Sequence, residues 1–228
     1  MPEGMGVEIA HKLTEREEEA AERHGRWHEV LEIVEVALLA IVAVATAWSG
    51  LQAARWDGRQ ALLYGQSSDL RFASEAASTL GGQKLSADAA GFNTWLQAHR
   101  ANDTTLMNQI ADRFTPDYHA AFEVWLKTDP FNNPKAPPGP LYMPGFVNPD
   151  LAKAARLNKE ASTRFDAGTE AQETGEKYVR NTVLFASVLF LVALAQRQKA
   201  HGARLAATGI AVALLVFTMA STITLPRL

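Results

Sequence analysis

The stretch Ala47–Gly58, AWSGLQAARWDG, comes directly after a run of Val, Ala, Leu and Ile, with no helix breaker between the two. The residues from Val36 to Ala54 carry no charge, and their number is close to the ~20 residues that a helix needs to cross the hydrocarbon core of a bilayer. Trp48 and Trp56 are typical of the aromatic belt at a membrane surface. The change from apolar to polar residues therefore predicts a membrane helix that leaves the bilayer and continues as a water-soluble helix.

Two further uncharged blocks, Asn181 to Gln196 and Leu205 to Pro226, occur late in the chain, and arginines bracket both. The first is short for a span, but the long side chains of flanking arginines can reach the membrane surface. Helices in the core of a soluble protein rarely run this long without a charge. The sequence therefore predicts an all-α membrane protein with transmembrane helices at 30–54, 179–196 and 205–225.

The charges outside the spans predict the orientation. The connection between the last two spans contains Arg197, Lys199 and Arg204 and no acid, and short basic loops stay in the cytoplasm. The first span follows a long acid-rich segment, which favours an uncleaved anchor over a signal peptide. The prediction is a bacterial inner-membrane protein with its N-terminus inside. Its remaining parts are a cytoplasmic segment at 1–29, an extracytoplasmic helical domain at 55–178, a cytoplasmic basic loop at 197–204 and an extracytoplasmic tail at 226–228.

The composition and motifs exclude several functional classes. A net charge of −3 does not provide the basic surface of a nucleic-acid-binding protein, so no nucleic-acid partner is expected. The chain has no Cys, which excludes disulfides, thiolate catalysis and cysteine metal sites. We find no nucleophile elbow, P-loop, dinucleotide-binding glycine turn or HExxH motif. We therefore expect no enzyme, no cofactor and no metal site.

The region 55–178 is predicted to be a bundle of three long helices and one short helix. The first continues the first span until Gly81-Gly82 breaks it. The second runs from Ser86 to Phe114, and Pro116 suits the first turn of a short third helix. Asn148-Pro149-Asp150 caps a last long helix that enters the second span.

A Pro-rich segment, 129–150, separates the short helix from the last one, and we expect extended, polyproline-like backbone there. Its apolar and aromatic side chains predict a docking surface for a partner. The alternative is a loop folded onto its own bundle, because long loops are often packed by their own side chains. The residues concerned are Phe131, Leu141, Tyr142, Met143 and Phe146.

Charges near the membrane predict contacts between the first and last long helices. Glu173 and Glu176 belong to an acidic stripe, and Arg55 and Arg59 form a basic counterpart. Equal distances from the membrane surface pair Arg59 with Glu173 and Arg55 with Glu176. The alternative is a solvated stripe, since exposed ion pairs contribute only about 0–1 kcal/mol.

Small residues recur every fourth position at the membrane exit, at Thr46, Gly50, Ala54 and Gly58. Such a row lets another helix approach closely. It predicts a helix–helix contact, either within the chain or between subunits.

Two acids, Glu32 and Glu35, lie at the cytoplasmic mouth of the first span. Acids inside a membrane often mark function, and in a symmetric oligomer they would form a ring that attracts cations. The alternative is that they lie in the headgroup layer and pair with Arg197 or Lys199.

Three stretches resemble an uncharacterised family of small bacterial three-span membrane proteins. They are ATAWSGLQAARW at 45–56, NPKAPPGPLYMP at 133–144 and YVRNTVLFASVLF at 178–190. The resemblance covers most of the chain and implies no particular activity. In architecture alone, the external helices also resemble the ligand-binding bundles of bacterial chemoreceptors. A sensor built in this way must pass its signal to another protein.

The sequence as a whole predicts a non-enzymatic membrane protein that acts as an oligomeric scaffold, sensor or accessory subunit through its external domain. Its expected partners are the lipid bilayer and either further copies of itself or another membrane protein. The alternative is an oligomeric ion channel or small-solute transporter that uses Glu32 and Glu35.

Overall fold

A computed structural model describes the backbone of residues 3–198 and 200–228, and their side chains except at 3–29, 31 and 201. The side chains of the predicted segment 1–29, and Lys199 of the predicted basic loop, lie outside the described residues. Over the described residues the chain is all-helical. The elements are α1 (Glu3–Arg100), α2 (Thr104–Ala111), α3 (Pro116–Leu126), a 3-10 helix (Pro140–Tyr142), α4 (Pro149–Arg197) and α5 (His201–Thr224).

Three helices are long and apolar enough to cross a membrane. The segments are Glu32–Arg100 of α1, Pro149–Arg197 of α4 and Gly202–Thr224 of α5. This confirms an all-α protein with three helices able to span a membrane.

The chain divides into two compact units. One combines the residues up to Arg59 with Glu170–Leu228, and we call it the span unit. The other comprises Gln60–Thr169, and we call it the 60–169 unit.

In the span unit α1 and α5 run in the same direction, and α4 runs against them. Buried residues recur every three or four positions along each helix, as in coiled-coil packing. Because lipid is as apolar as the core, close packing and interhelical hydrogen bonds hold such helices together. The buried positions are Glu35, Leu38, Val42, Ala45, Ser49 and Gln52 of α1, Ala171, Gly175, Tyr178, Asn181, Phe185, Val188, Val192 and Ala195 of α4, and Thr208, Ala211, Leu215, Thr218 and Thr222 of α5.

In the 60–169 unit α1 and α4 form an antiparallel pair with small residues between them. The Ser67 hydroxyl donates to the carbonyl oxygen of Ala161 at 2.8 Å. The Ser74 hydroxyl donates to the carbonyl oxygen of Ala154, also at 2.8 Å. Small side chains let the two backbones come close enough for these side-chain-to-backbone bonds.

The remainder of the 60–169 unit is built on an aromatic core. The rings of Phe92 and Trp125 meet edge to face at 5.0 Å, as do those of Trp95 and Phe122 at 4.9 Å, an arrangement that the ring quadrupoles favour. The indole N–H of Trp125 donates to the carbonyl oxygen of Pro137 at 2.7 Å, which fixes the Pro-rich segment to the core. The core residues are Phe92, Trp95, Ile110, Phe114, Tyr118, Phe122 and Trp125.

The predicted helix break at Gly81-Gly82 is wrong, because α1 continues through both glycines to Arg100. A Cβ on Gly81 would lie 3.0 Å from the Leu151 side chain, so this glycine allows the start of α4 to lie close to α1. Tertiary packing here outweighs the roughly 1 kcal/mol by which glycine disfavours a helix.

The predicted helix from Ser86 to Phe114 is also wrong, because two helices replace it. Asn102 adopts a left-handed backbone conformation with φ of 58°. Asp103 then caps α2, and its carboxylate accepts the N–H of Leu106 at 3.0 Å.

The start of α3 at Pro116 and that of α4 at Pro149 confirm the predicted boundaries. The Asn148 side chain accepts the N–H groups of Asp150 and Leu151, both at 3.0 Å. Between these helices the Pro-rich segment forms consecutive turns and the short 3-10 helix rather than the extended backbone expected from its prolines.

Candidate functional site

The opening stretch of α1 binds the backbone that follows α5. Gln52 is fully buried and exchanges two hydrogen bonds with Leu228. Its amide N–H donates to the backbone oxygen at 3.3 Å, and its amide oxygen accepts the backbone N–H at 3.1 Å. Arg55 also donates to the Leu228 oxygen, at 2.5 Å. Two side chains of α1 thus hold one residue of the segment after α5.

Pro226, two residues earlier, is held from two helices. The Trp56 indole N–H and the Tyr178 hydroxyl both donate to its carbonyl oxygen at 3.2 Å. The Ser49 hydroxyl donates to the backbone oxygen of Tyr178 at 3.0 Å. Trp56, predicted only as a membrane-surface residue, therefore also joins α1 to the segment after α5.

A third polar contact joins α4 to α5. Asn181 is fully buried, and its amide N–H donates to the Thr222 hydroxyl at 3.0 Å. Its amide oxygen accepts the Ser221 hydroxyl at 3.3 Å. Both the donor and the acceptor of the amide are therefore hydrogen-bonded inside the span unit.

Glu35 forms an ion pair at the other end of the span unit. Arg204 Nε donates to one carboxylate oxygen at 2.9 Å, and its terminal nitrogen donates to the other at 2.7 Å. The Thr208 hydroxyl adds a longer bond of 3.3 Å. The carboxylate is fully buried, so this is a two-pronged ion pair between α1 and α5 within one chain.

The ion pair between Glu35 and Arg204 is relevant to both interpretations of Glu32 and Glu35. The partner of Glu35 is Arg204, whereas the headgroup alternative named Arg197 or Lys199. Glu32 is exposed. A vestibule formed by these acids in an oligomer stays a prediction.

The structure does not bring the predicted interhelical ion pairs together. Within the described part of the chain, no ion pair joins Arg55 or Arg59 to Glu173 or Glu176. Glu173 and Glu176 are exposed on α4, as are both arginines on α1.

The register expected between these helices is present, but other residues occupy the facing positions. A Cβ on Gly175 would lie 3.4 Å from that of Trp56, so glycine faces α1 at this level. Glu176 instead accepts the Gln172 amide N–H at 2.9 Å, along its own helix. Arg55 binds Leu228. Counting residues from the membrane surface predicted which positions of α1 and α4 lie at the same height. It could not predict which side chains at that height face the other helix.

The row of small residues lies away from the packed face of α1. A Cβ on Gly50 or Gly58 would meet no other part of the described chain within 4 Å, and Ala54 is exposed. The Thr46 hydroxyl donates to the Val42 carbonyl oxygen of its own helix at 2.7 Å. A contact of this row with another subunit stays a prediction.

The five predicted docking residues fall into two groups. Leu141, Met143 and Phe146 pack against the aromatic core, as the alternative interpretation of the loop expects. Phe131 is 50% exposed and stacks on His99 with ring centroids 4.1 Å apart. Tyr142 is 68% exposed.

A groove of about 370 Å³ runs between α3 and residues 143–147 of the loop. Val124 and Val147 are at least half exposed along it. Asp117 supplies its one formal charge. The lining residues are Asp117, Ala120, Ala121, Val124, Met143, Pro144, Gly145, Phe146 and Val147.

Asp88 is a buried acid with a structural role. Its carboxylate accepts the backbone N–H of Thr115 at 2.8 Å and the Thr115 hydroxyl at 2.6 Å, at the start of α3. Burial, and secondarily the charge of Asp88, raise the pKa of the Tyr118 hydroxyl. Among the described side chains, no group of three or more His, Asp or Glu residues is placed to hold a metal ion.

The sequence did not predict several residues of these contacts, among them Gln52, Asp88 and Arg204. Gln52 had a usable signal, because a polar amide at the end of an apolar block needs a partner. Arg204 was considered only as a loop charge. Asp88 carried no local signal, because its partner lies 27 positions away along the chain.

No protein-family model, no curated protein and no solved structure matches this chain.

Proposed function

We propose that this protein is a non-enzymatic subunit of the bacterial inner membrane, a scaffold, sensor or accessory protein that binds another protein through the groove between α3 and residues 143–147. The observation that carries the proposal is that some side chains of the Pro-rich segment are packed on the aromatic core while others are exposed. Leu141, Met143 and Phe146 fix the loop to the core, whereas Tyr142 and Val147 remain more than half exposed.

A loop held in this way suits recognition. Its backbone is already ordered by its own core, so binding a partner costs little conformational entropy. Tyrosine, like tryptophan and arginine, is enriched at the energetically important centres of protein interfaces. Tyr142 provides such a side chain directly before Met143 of the groove lining, and Val124 and Val147 add exposed apolar surface within the groove.

The orientation supports an extracytoplasmic location for the groove. Arg197 and Arg204 flank the short connection between α4 and α5, and basic connections of this length stay inside. The 60–169 unit would then lie outside the cytoplasm, with the N-terminus inside.

Self-association through the row Thr46, Gly50, Ala54 and Gly58 fits the same proposal, because Ala54 is exposed and a Cβ on either glycine would meet nothing within 4 Å in the described chain. We do not propose the channel or transporter alternative. One of the two acids on which it depends, Glu35, is bound by Arg204 of the same chain.

The test is photo-crosslinking in intact cells. A photoreactive phenylalanine replaces Tyr142, and a matched variant carries it at Glu160, which is exposed on α4 away from the groove. We expect one discrete product from position 142, and we expect its loss when Val147→Asp is added.

The product's mass separates a second copy of the chain from a different protein. A discrete partner at position 142 alone supports the proposal in either case. Equal, diffuse products from positions 142 and 160 would refute docking at this groove.

A further inference from the structure

A different cavity of the 60–169 unit, of about 490 Å³, lies between α1 and α2. Pockets for small molecules commonly measure about 300–1,000 Å³. The apolar part of the lining that is least exposed comprises Gly91, Ile110 and Phe114, and we call it the floor; the exposed Leu106 also lines the cavity. A Cβ on Gly91 would lie 3.0 Å from the Phe114 ring, so the glycine leaves room for that ring in the floor.

The lining holds two basic side chains and one acid, and among them the guanidinium of Arg113 is the group without a partner among the described residues. Arg113 lines it, is exposed, and forms no ion pair with any described residue. Lys84, which also lines it, is paired with Asp150 at 2.7 Å. The acid in the lining, Asp88, is 5% exposed and directs both oxygens to Thr115.

We infer that this cavity binds a small organic monoanion: a carboxylate attached to an apolar ring or short hydrocarbon body. The guanidinium of Arg113 binds the carboxylate, because its planar donors match two carboxylate oxygens. The apolar body lies on Ile110 and Phe114. A purely polar anion would leave that floor uncovered, and an uncharged hydrocarbon would leave Arg113 unused.

This inference goes beyond the proposed function, and it shares no residue with the groove between α3 and the loop. The two can therefore fail separately. The crosslinking experiment reports on position 142, whereas the following experiment reports on Arg113.

The test uses the full chain in nanodiscs of zwitterionic phospholipid and follows 4-(trifluoromethyl)benzoate by fluorine NMR. From its size we expect a dissociation constant of about 1 mM. Arg113→Gln should weaken binding by about tenfold or more, because the charged hydrogen bonds are lost. The matched control is Arg100→Gln, an exposed arginine outside the cavity, which should bind like the unmodified protein.

Two further measurements locate the site and its charge preference. Ala87→Trp places a large side chain in the cavity from an exposed position and should abolish binding, and Thr94→Trp gives a second blocking variant if the first does not fold. The uncharged amide of the probe should bind much more weakly than the carboxylate. Binding equal to that of empty nanodiscs, or binding unchanged by Arg113→Gln or by a folded blocking variant, would overturn the inference.

Discussion

Glu35 is a residue at which we expect a single substitution to destabilise the span unit strongly. Glu35→Ala leaves the Arg204 guanidinium without the carboxylate that it binds in the span unit. Breaking a buried ion pair from one side costs about 3–5 kcal/mol, and the 14% exposure of Arg204 favours the lower end of that range. Thermal unfolding of the protein in detergent, followed by circular dichroism, measures the loss.

Two variants give this experiment its controls. Asp57→Ala removes an exposed acid from the same helix and should change stability by less than about 0.5 kcal/mol. The double variant Glu35→Ala/Arg204→Met removes both charges and should recover most of the loss. Equal unfolding temperatures for Glu35→Ala and Asp57→Ala would show that the ion pair does not stabilise the span unit.

Tyr118 gives a prediction about pH. Burial, and secondarily Asp88, raise the pKa of its hydroxyl above the ordinary value of 10.0. The folded protein then keeps a proton that the unfolded chain has lost, so the stability contributed below the ordinary value is lost as the pH rises beyond it. The free energy of unfolding should fall between about pH 9 and 11, and less steeply in Tyr118→Phe. The other tyrosines are common to both proteins. If the free energy of unfolding falls equally steeply with pH in both, a group other than Tyr118 causes the fall.

Single residues also show which contacts cannot be predicted from the sequence. Trp56 was predicted to lie at the membrane surface, since amphipathic rings favour that layer. Its bond to Pro226 could not be predicted, because it depends on where a helix 170 residues later ends. The docking loop was predicted as a set of residues, but only the packed core decides that Met143 is covered and Tyr142 is exposed.

At the scale of helices, Gly168 should be essential to the antiparallel pair of α1 and α4. A Cβ there would lie 2.5 Å from the Tyr64 ring, and Phe165 stacks on that ring at 5.1 Å. Gly168→Ala must displace a ring held by a neighbour, and overpacking of this kind costs about 1–3 kcal/mol. The unfolding midpoint in chemical denaturant should fall accordingly.

The matched control is Gly65→Ala, also in the 60–169 unit. Nothing lies within 4 Å of a Cβ at Gly65, so helix propensity alone acts and should stabilise the protein by about 0.5–1 kcal/mol. Opposite signs for the two substitutions would confirm that the helices pack closely at Gly168 and that Gly65 lies outside this contact. A stabilising Gly168→Ala would contradict the close approach.

Whether a helix boundary could be predicted depends on whether its cause is local or tertiary. Pro116 and Asn148-Pro149 mark their helices locally, since proline favours a first turn and asparagine caps one, and both boundaries were predicted. Gly81-Gly82 was misjudged because its role is tertiary, against Leu151. Asp103 carries a local signal, because aspartate is a good N-cap, but the predicted helix from Ser86 to Phe114 runs through it.

For the whole molecule, the uncharged blocks were sufficient to predict three helices able to cross a membrane, since length and apolarity decide that property. The division of the structure into its two compact units falls at Arg59 and Glu170, which are not the predicted domain boundaries at 55 and 178. It depends on which residues of α1 and α4 pack together, and the apolar pattern of a single helix does not contain that information. The orientation depends on loop charge alone and can be measured directly.

Because the chain has no Cys, one introduced thiol is the only site for a maleimide. Lys135→Cys places it at an exposed position of the 60–169 unit, and Gln198→Cys places it at an exposed position of the connection between α4 and α5. In spheroplasts a membrane-impermeant maleimide should label Lys135→Cys at once and Gln198→Cys only after permeabilisation, since basic connections remain inside. The reverse pattern would invert the orientation and place the groove beside α3 in the cytoplasm, where its partner would then have to be sought.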